Sequence, residues 1–308
     1  MGSLYEHPEW FRPLFAELER RGIGFERIDA ASHVFEPGRR SGRHSLVVNR
    51  MSPSAWLRGH AGAVFHTLDY LTHLEDVGIP VVNGRAAYQH EISKVRQLSL
   101  LKRLGIRHPR ARALNHPSQA MAAADGLTYP VLVKPNIGGS GGGITSFPDF
   151  DALAAAVEAG ALDDLGLDHT GLIQEHLPAR GDSIVRVEVL DGEYLYSIRV
   201  RLFPGSFNLC PADYCELPGV GAGPADPIEG FTPPPEVVAD AIRIVEAAGM
   251  DLGGVEYLVN DRDGEPYFYD INALSNFVAD APNVVGFDPF VNLVDYLERR
   301  LAEASPAG

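Results

Sequence analysis

The chain has 308 residues, of which 45% are hydrophobic and 22% are charged, and its formal net charge is -15. These values are those of an ordinary globular protein that is large enough for two or three domains. The acidic balance argues against a nucleic-acid partner, whose phosphates would be repelled, and no apolar stretch approaches the roughly 20 residues of a membrane span.

The N-terminal sequence and the two cysteines further restrict the class of protein and its expected location. The N-terminus shows neither the basic nor the apolar region of a signal peptide. The two cysteines, Cys210 and Cys215, are too few for a disulfide framework, lack zinc-site spacing and are interpreted as packing residues. We therefore expect a cytoplasmic protein with no membrane or nucleic-acid partner. A homodimer is left open.

The first part of the chain alternates short helical and strand patterns, which predicts an N-terminal α/β domain over residues 1–88. Apolar residues between Trp10 and Leu18 recur at helical spacing, and Gly22 is a stop signal. The predicted elements are a helix over 10–22, short apolar segments at 25–28, 45–48 and 64–68, a helix over 70–77 and a buried strand within 78–83.

Two further units are predicted behind this domain. Residues 89–175 would form a linker helix and a central subdomain, and residues 176–308 a C-terminal subdomain. The predicted helices cover 93–104, 118–124, 150–158, 236–248 and 290–302, and the predicted strands cover 131–134, 171–174, 184–190, 194–201, 254–260 and 266–271. The last two strands form a hairpin, because Asp263-Gly264 between them is a typical hairpin turn.

Lysine is rare in this sequence. There are three lysines, Lys94, Lys102 and Lys134, among 26 basic residues. Because arginine can replace lysine wherever only solubility matters, we expect lysine where a compact ammonium is needed. Lys134 ends an apolar run that leads directly into the glycine-rich segment 138–143. A cation at a strand end beside bare backbone amides is typical of phosphate binding and predicts a nucleotide triphosphate; the alternative is a flexible surface turn.

The glycine-rich segment fits neither of two common nucleotide motifs. A P-loop requires Gly-Lys-Ser/Thr at its end, whereas Lys134 precedes the glycines and Ile144 follows them. The dinucleotide pattern G-x-G-x-x-G cannot be placed on residues 138–143 either.

The C-terminal hairpin carries a second group of polar residues. Asp270 and Asn272 are two residues apart and therefore share one strand face, and Glu256 is expected on the partner strand. Three oxygen donors of this kind suit Mg²⁺, which uses one or two carboxylates together with substrate phosphates. The aromatic flanks of this strand indicate burial, where an acidic pair without a cation would be costly. The alternative is the polar face of an amphipathic hairpin.

Taken in order, these segments resemble the ATP-grasp superfamily, specifically its RimK-like carboxylate-amine ligases. The resemblance covers about residues 45–300: residues 47–53 are similar to the substrate-domain loop, 78–83 and 94–106 to the segments after it, and 171–177 to the adenine hinge. It implies a three-subdomain ATP-grasp fold of the α/β (α+β) class. ATP would lie between two α+β subdomains that follow an N-terminal α/β domain.

The resemblance also implies the roles of individual residues. The phosphates would be bound by Lys94 and Lys134 under a mobile lid loop, and the base and ribose by the hinge. The implied nucleotide-binding residues are Lys94, Lys134, Gly139, Ser140, Gly141, Gly142, Gln174, Glu175, Leu177 and Asp182. The implied metal ligands are Glu256, Asp270 and Asn272. The arginines implied to hold the acylphosphate and the substrate carboxylate are Arg186, Arg199 and Arg201.

The sequence departs from the family pattern at two places. Position 184 is Ile where relatives carry an acidic residue, which leaves Asp182 as the ribose-binding candidate. The segment after Asn272 lacks the usual small residue, Pro and Gly, and Asn276 within it is interpreted either as an acceptor-site residue or as a turn cap.

The predicted activity is the ATP-dependent joining of a carboxylate to an amine. The carboxylate would be activated as an acylphosphate, and ADP and phosphate would be released. The expected cofactors are ATP and one or two Mg²⁺, with Mn²⁺ as the alternative ion, and the expected partners are small-molecule or peptide substrates. Two other functions stay open: a nucleotide-binding regulatory protein, and an ATP-grasp kinase or phosphotransferase without amine ligation.

Overall fold

A computed structural model describes residues 1–39, 43–139, 141–162, 164–202 and 228–304 of the chain. Three β-sheets with flanking helices account for the fold of these ranges. Ser140, Cys210 and Cys215, all named above, lie outside the described residues. None of the described helices is long and apolar enough to cross a membrane.

The N-terminal sheet is parallel, with strand order β2-β1-β3-β4. Its elements are β1 (Gly2–Tyr5), α1 (Arg12–Arg20), β2 (Glu26–Asp29), β3 (Val47–Arg50), α2 (Ala61–Asp76), β4 (Val81–Val82) and α3 (Arg85–Glu91). The apolar segment 64–68 and the helix 70–77, which we expected to be separate, form the single helix α2. The reason is that Val64, Leu71 and Leu74 follow one helical stripe into the core.

The central sheet is antiparallel, with strand order β5-β8-β6-β7. Its elements are β5 (Ala111–Leu114), α5 (Ala120–Ala124), β6 (Val131–Pro135), β7 (Thr145–Phe147), α6 (Phe150–Glu158) and β8 (Gly171–Glu175). Its core is formed by aliphatic residues of β6 and β8, including Val131, Val133 and Ile173. The two outer strands were not predicted, because both are short and expose most of their side chains.

The C-terminal sheet is antiparallel, with strand order β11-β10-β9-β12-β13. Its strands are β9 (Ser183–Leu190), β10 (Glu193–Arg201), β11 (Ile228–Gly230), β12 (Leu252–Val259) and β13 (Pro266–Asn272). The accompanying helices are α4 (Lys94–Leu104), α7 (Pro235–Ala247), α8 (Ala281–Val285) and α9 (Pro289–Ala304). The predicted domain limits at 88/89 and 175/176 stay a prediction.

Along β9 and β10, alternate side chains pack into two hydrophobic cores that lie on opposite faces of the sheet. Val185, Val187 and Val189 pack with α4 and α7 on one face of the sheet. Ile184 and Ile198 belong to a second core, which also contains side chains of α1, β3, β4 and α9. The C-terminal sheet is therefore covered on both faces, and one of the two covers is shared between the N-terminal domain and the C-terminal helices α8 and α9.

Asn83 fastens the N-terminal domain to the C-terminal sheet. Its backbone has a φ of 54°, a left-handed conformation that asparagine tolerates, and its side chain is only 1% exposed. The side-chain amide donates to the carbonyls of Leu252, at 2.7 Å, and Ala273, and its oxygen accepts from the backbone N–H of Asp251 and Leu252 at 2.9 and 3.1 Å. All four hydrogen-bonding positions of the amide are thus used across the domain contact.

We expect Asn83→Ala to lower the free energy of unfolding by about 2–4 kcal/mol, because two buried N–H groups and two buried carbonyls lose their partner. Thermal or urea unfolding measures the loss. The matched control is Asn115→Ala at an exposed position, which should change stability by no more than about 0.5 kcal/mol. Equal effects of the two substitutions would contradict the role given to Asn83.

Candidate active site

A cleft opens where the three units meet. It is lined by Ser52 and Ser54 from the N-terminal domain, by Lys134 and Gln174 from the central sheet, and by the β12–β13 hairpin from the C-terminal sheet. Its empty volume, the open mouth included, is about 1270 Å³. The cleft is thus lined by residues from all three units.

Two lysines form the basic side of this cleft. Lys94 is the first residue of α4, whose N-cap Ser93 accepts a hydrogen bond from the backbone N–H of Arg96, and its ammonium forms an ion pair with Asp270. Burial lowers the pKa of Lys94, but the carboxylates of Asp270, Glu256 and Glu91 outweigh burial and leave that pKa above its ordinary value. Lys94 is therefore held in its charged form.

Lys134 is in a different electrostatic position. It lies in β6 and is 5% exposed, and no ion pair found among the described residues includes it. Burial, with the nearby Lys94 ammonium, lowers the pKa of Lys134 to about 7, although Asp270 opposes this shift. A buried amine without a carboxylate partner is suited to an anionic ligand.

The hairpin forms the acidic side. Glu256 of β12 lies opposite Asp270 of β13 in the strand register, and Gly254 lies opposite Asn272. The register shifts between Glu256 and Tyr257, so that Tyr269 is an extra residue in β13. This bulge brings Tyr269 as well as Asp270 to the cleft, whereas neighbours in a regular strand face opposite sides.

The two facing carboxylates ionise differently. Burial, followed by the Asp270 carboxylate, raises the pKa of Glu256 to about 7. Burial also opposes ionisation of Asp270, but the Lys94 ammonium outweighs it and holds the pKa of Asp270 below its ordinary value. The described residues contain no cluster of three or more His, Cys, Asp or Glu arranged for a metal. A metal here would thus have two carboxylates and the Asn272 amide as protein ligands.

Arg186 lies beside the acidic pair, on the cleft side of β9. Its Nε donates to Glu188 Oε1 at 2.6 Å, one Nη contacts Glu256 Oε1 at 3.5 Å and the other donates to Ser275 Oγ at 3.2 Å. Gly254 permits this position, because a Cβ there would lie 2.7 Å from the Arg186 guanidinium. The guanidinium therefore crosses β12 in contact with its backbone.

Arg199 and Arg201, predicted with Arg186, do not reach the cleft. Arg199 lies opposite Val185 in the β9–β10 register, whereas Arg186 lies opposite Ile198. Residues opposite each other point to the same side, so the two arginines of β10 are on the other face of the sheet. Arg199 pairs there with Glu229 at 3.1 Å and stacks over the ring of Phe231. The sequence alone does not give the strand register, and it therefore could not show that Arg199 and Arg201 lie on the sheet face opposite Arg186.

The predicted hinge residues also differ in whether their side chains reach the cleft. Gln174 lines the cleft, and its buried Oε1 has no hydrogen-bond partner among the described residues. Glu175 instead pairs with Arg110 at 3.2 Å and accepts from the Thr128 N–H at 2.8 Å. Leu177 is buried in the core behind the C-terminal sheet, and Asp182 is exposed at a turn with a φ of 45°. The side chains of Glu175, Leu177 and Asp182 are not among those that line the cleft.

The glycine-rich segment lines the cleft through Gly138, Gly139, Gly141 and Gly142. Asn276 also lines it, and the buried Oδ1 of Asn276 has no hydrogen-bond partner among the described residues, as is true of Asn272 Nδ2. Unpartnered buried amide atoms are uncommon in proteins. Their grouping in one cleft favours the acceptor-site interpretation of Asn276 over the turn cap.

Several residues of the cleft were not predicted. The lining includes Trp10, Glu91, Gln97 and Tyr269. Glu91 accepts hydrogen bonds from the backbone N–H groups of Ala273 and Leu274, and burial raises its pKa to about 7. Its position three residues before Lys94 was the only available signal. Nothing in the sequence associates Glu91 with the segment after Asn272.

The chain is similar in sequence and in fold to several known proteins. The chain is 22% identical over 274 residues to the probable alpha-L-glutamate ligase 2 of Shewanella denitrificans. The aligned region covers 84% of this chain and 85% of that protein. It superimposes on the ATP-grasp ligase PsnB complexed with a minimal precursor, with a TM-score of 0.67, 19% identity and 97% and 98% of the two chains covered. For the RimK domain protein ATP-grasp of Sphaerobacter thermophilus, the TM-score is 0.63 and the identity 20%, with 99% and 97% covered. No family model matches the chain.

The protein has the ATP-grasp fold, as the sequence predicted. The three sheets are its N-terminal, central and C-terminal units. Within this fold, the predicted resemblance to the RimK-like ligases is confirmed.

The low pKa of Lys134 makes stability depend on pH. Between about 7 and the ordinary value of 10.5 the unfolded chain binds a proton at Lys134 that the folded chain does not, so stability rises with pH in this window. Below pH 7 both states are protonated, and the full cost of burying the charge is present.

We expect ligand-free Lys134→Met to be more stable than the wild type at pH 7 and below, and this advantage to shrink by at least about 1.4 kcal/mol, the equivalent of one pKa unit, as the pH approaches 10. Urea unfolding at several pH values measures it. Lys102→Met, at an exposed position of α4, is the control and should give a flat difference. A flat difference for Lys134→Met as well would refute the burial argument.

The close approach at Gly254 yields a second expectation. In Gly254→Ala the new Cβ would displace the Arg186 guanidinium and meet Glu188 Oε1 at 2.8 Å, so we expect ATP turnover to fall at least about tenfold, beyond what the loss of stability explains. Gly253→Ala is the contrast, since its Cβ would face Val245 and Met250 in the core at 3.1 Å. That variant should lose stability more than turnover. The reverse pattern would show that Arg186 is not needed.

Proposed function

We propose that the protein is an ATP-dependent carboxylate-amine ligase. It activates a carboxylate as an acylphosphate and joins it to an amine, with release of ADP and phosphate. One observation carries the proposal: within an ATP-grasp fold, Lys94 and Lys134 share a cleft with the opposed pair Glu256 and Asp270. Phosphoryl transfer depends mainly on positioning and charge neutralisation, for which such an arrangement is suited.

The residues of the cleft fit a nucleotide. The Lys134 amine has no carboxylate partner among the described residues, and a phosphate would supply the missing negative charge. Lys94 and the backbone of Gly139 to Gly142 would bind the remaining phosphate oxygens. Gln174, whose buried Oε1 lacks a partner among the described residues, would contribute to the base site. The side chains of Glu175, Leu177 and Asp182 do not line the cleft, so these residues would act there through their backbone.

The donor set also fits a hard divalent cation. Glu256 and Asp270 face each other, and Asn272 lies two residues from Asp270 on the same strand. We propose that these three residues hold one or two Mg²⁺, with Mn²⁺ as a substitute; such an ion would neutralise charge on the phosphates when bound. Lys94 forms an ion pair with Asp270. A cation held by that carboxylate would supply positive charge beside it, and Lys94 would then contribute its own charge to the phosphates.

Arg186 is the predicted arginine that the geometry supports. It lines the cleft next to Glu256, where a guanidinium fork can bind a carboxylate or an acylphosphate in a bidentate way. Its bonds to Glu188 and Ser275 fix the plane of the fork. Arg199 and Arg201 are not assigned a role in the reaction, because they lie on the opposite sheet face.

The part of the cleft that we assign to the acceptor is lined by Trp10, Ser52, Ser54 and Asn276. These are neutral side chains with hydroxyl, amide and aromatic groups. The relative from Shewanella is named a glutamate ligase, and PsnB was solved with a minimal precursor. We propose an amino acid or a peptide terminus as the substrate class of this chain.

Trapping with hydroxylamine tests the activity without knowledge of the amine. An acylphosphate reacts with hydroxylamine to give a hydroxamate and phosphate, so MgATP, hydroxylamine and a panel of amino acids and peptides should yield a coloured iron(III)–hydroxamate complex together with ADP. Lys134→Met should abolish both products, with a loss of at least about a hundredfold, because a phosphate contact in a buried site is removed. Lys102→Met should keep the wild-type rate.

The other open functions give different outcomes in this assay. A kinase would yield a stable phosphorylated product and no hydroxamate, and a regulatory protein would bind MgATP without forming ADP. Turnover that is unchanged in Lys134→Met would refute the site assignment itself.

A further inference from the structure

The glycine-rich segment makes close contacts with the N-terminal domain, although it belongs to the central unit in sequence. A Cβ on Gly139 would lie 2.6 Å from the Cβ of Ser54 and 3.1 Å from the backbone of the same residue. A Cβ on Gly142 would lie 3.3 Å from both methyl carbons of Leu57. Side chains at these two positions would therefore collide with, or press on, a segment of another domain.

The base of the glycine-rich segment is fixed to the same domain. Ile137 is buried in the core cluster of the N-terminal domain, which also contains Met51 and Ala55. The preceding Asn136 accepts hydrogen bonds through Oδ1 from Ser93 Oγ, at 3.1 Å, and from the Val95 N–H, at 3.0 Å. The segment thus leaves β6 already anchored between the N-terminal core and the first turn of α4.

The contacted part of the N-terminal domain, residues 52–58, is itself rigidly held, and we call it the seat. Ser52 Oγ accepts from the Ser54 N–H at 3.1 Å and contacts Ser54 Oγ at 2.8 Å. Arg58, at the other end, forms a bidentate ion pair with Glu6, donates to Ser54 Oγ at 3.3 Å and lies over the ring of Trp10. The seat is therefore a fixed surface.

We propose that Ser54 and Leu57 are positioning residues for nucleotide binding, because they fix the backbone of Gly139 and Gly142 beside Lys134. Neither residue belongs to the two units that hold ATP in this fold. Both methyl carbons of Leu57 lie 3.3 Å from the position that a Cβ on Gly142 would take. The inference rests on the proposed function, since it concerns the phosphate side of the same cleft.

Ser54 connects the lining of the cleft to the glycine-rich segment. Ser52 and Ser54 both line the cleft, and a Cβ on Gly139 would collide with Ser54. If a substrate bound at Ser54 changes nucleotide affinity, the nucleotide changes substrate affinity by the same factor.

A rescue experiment tests the seat. The Kd of Mg-AMP-PNP is measured by calorimetry for the wild type, Gly139→Ala, Ser54→Gly and the double variant, with melting temperatures as a check on folding. Gly139→Ala should weaken binding about tenfold, since one methyl group is forced into a packed contact. Ser54→Gly, which removes the nearest colliding atom, should restore most of that loss in the double variant. Leu57→Ala should weaken binding by about two- to fivefold.

The matched control is Gly62→Ala in α2, where a Cβ would meet nothing within 4 Å, and it should bind as the wild type does. The inference is overturned if Gly139→Ala binds normally, or if the losses in Gly139→Ala and Ser54→Gly simply add. A merely structural defect would lower the melting temperature and would not be rescued by a second destabilising change. If the wild type itself fails to bind Mg-AMP-PNP, the proposed function falls instead.

Discussion

The ion pair between Lys94 and Asp270 is the interaction on which the cleft depends. It joins the start of α4 to the β12–β13 hairpin, and both side chains are largely removed from water. Removing one partner of such a pair leaves an uncompensated buried charge, which is costly. The same cost explains why neighbouring groups are shifted: the pKa of Glu256 is raised to about 7 by burial and by Asp270. This partly balanced charge is the physical basis on which we propose that the cleft binds phosphate together with a divalent cation.

Buried polar side chains behind the cleft connect its C-terminal wall to the N-terminal domain. Arg50 of β3 donates to the carbonyl of Ser275, and burial lowers its pKa to about 10. Glu91 binds the backbone of Ala273 and Leu274, and Asn83 binds both Leu252 and Ala273. The N-terminal domain thus holds the segment that follows Asn272 from several sides. This fixation places a loop without regular structure accurately enough to line a site.

Much of the fold could be predicted from the sequence, because long periodic segments carry their own signal. The helix over 93–104 and the hairpin with Asp263-Gly264 occur close to their expected positions. The expectation was wrong or incomplete where the local pattern was short: residues 64–68 are part of α2, and β5 and β7, which were missed, are short edge strands that expose most of their side chains. For the site, rare residue types were informative. Lys134 stood out against 23 arginines, and Asp270 with Asn272 stood out as a polar pair that follows three aromatic residues.

The sequence by itself determined which chemistry is present: two lysines and a glycine-rich segment for phosphates, and oxygen donors two residues apart on a strand. These are local features, and spacing along one element fixes them. Only the tertiary structure decided which other residues join them. The β9–β10 register turned Arg199 and Arg201 away while it kept Arg186, the bulge at Tyr269 re-aimed one strand, and the seat brought Ser54 and Leu57 beneath glycines more than 80 residues further along the chain. Such contacts depend on how separate units pack, and packing is decided by the whole set of buried surfaces rather than by any one segment.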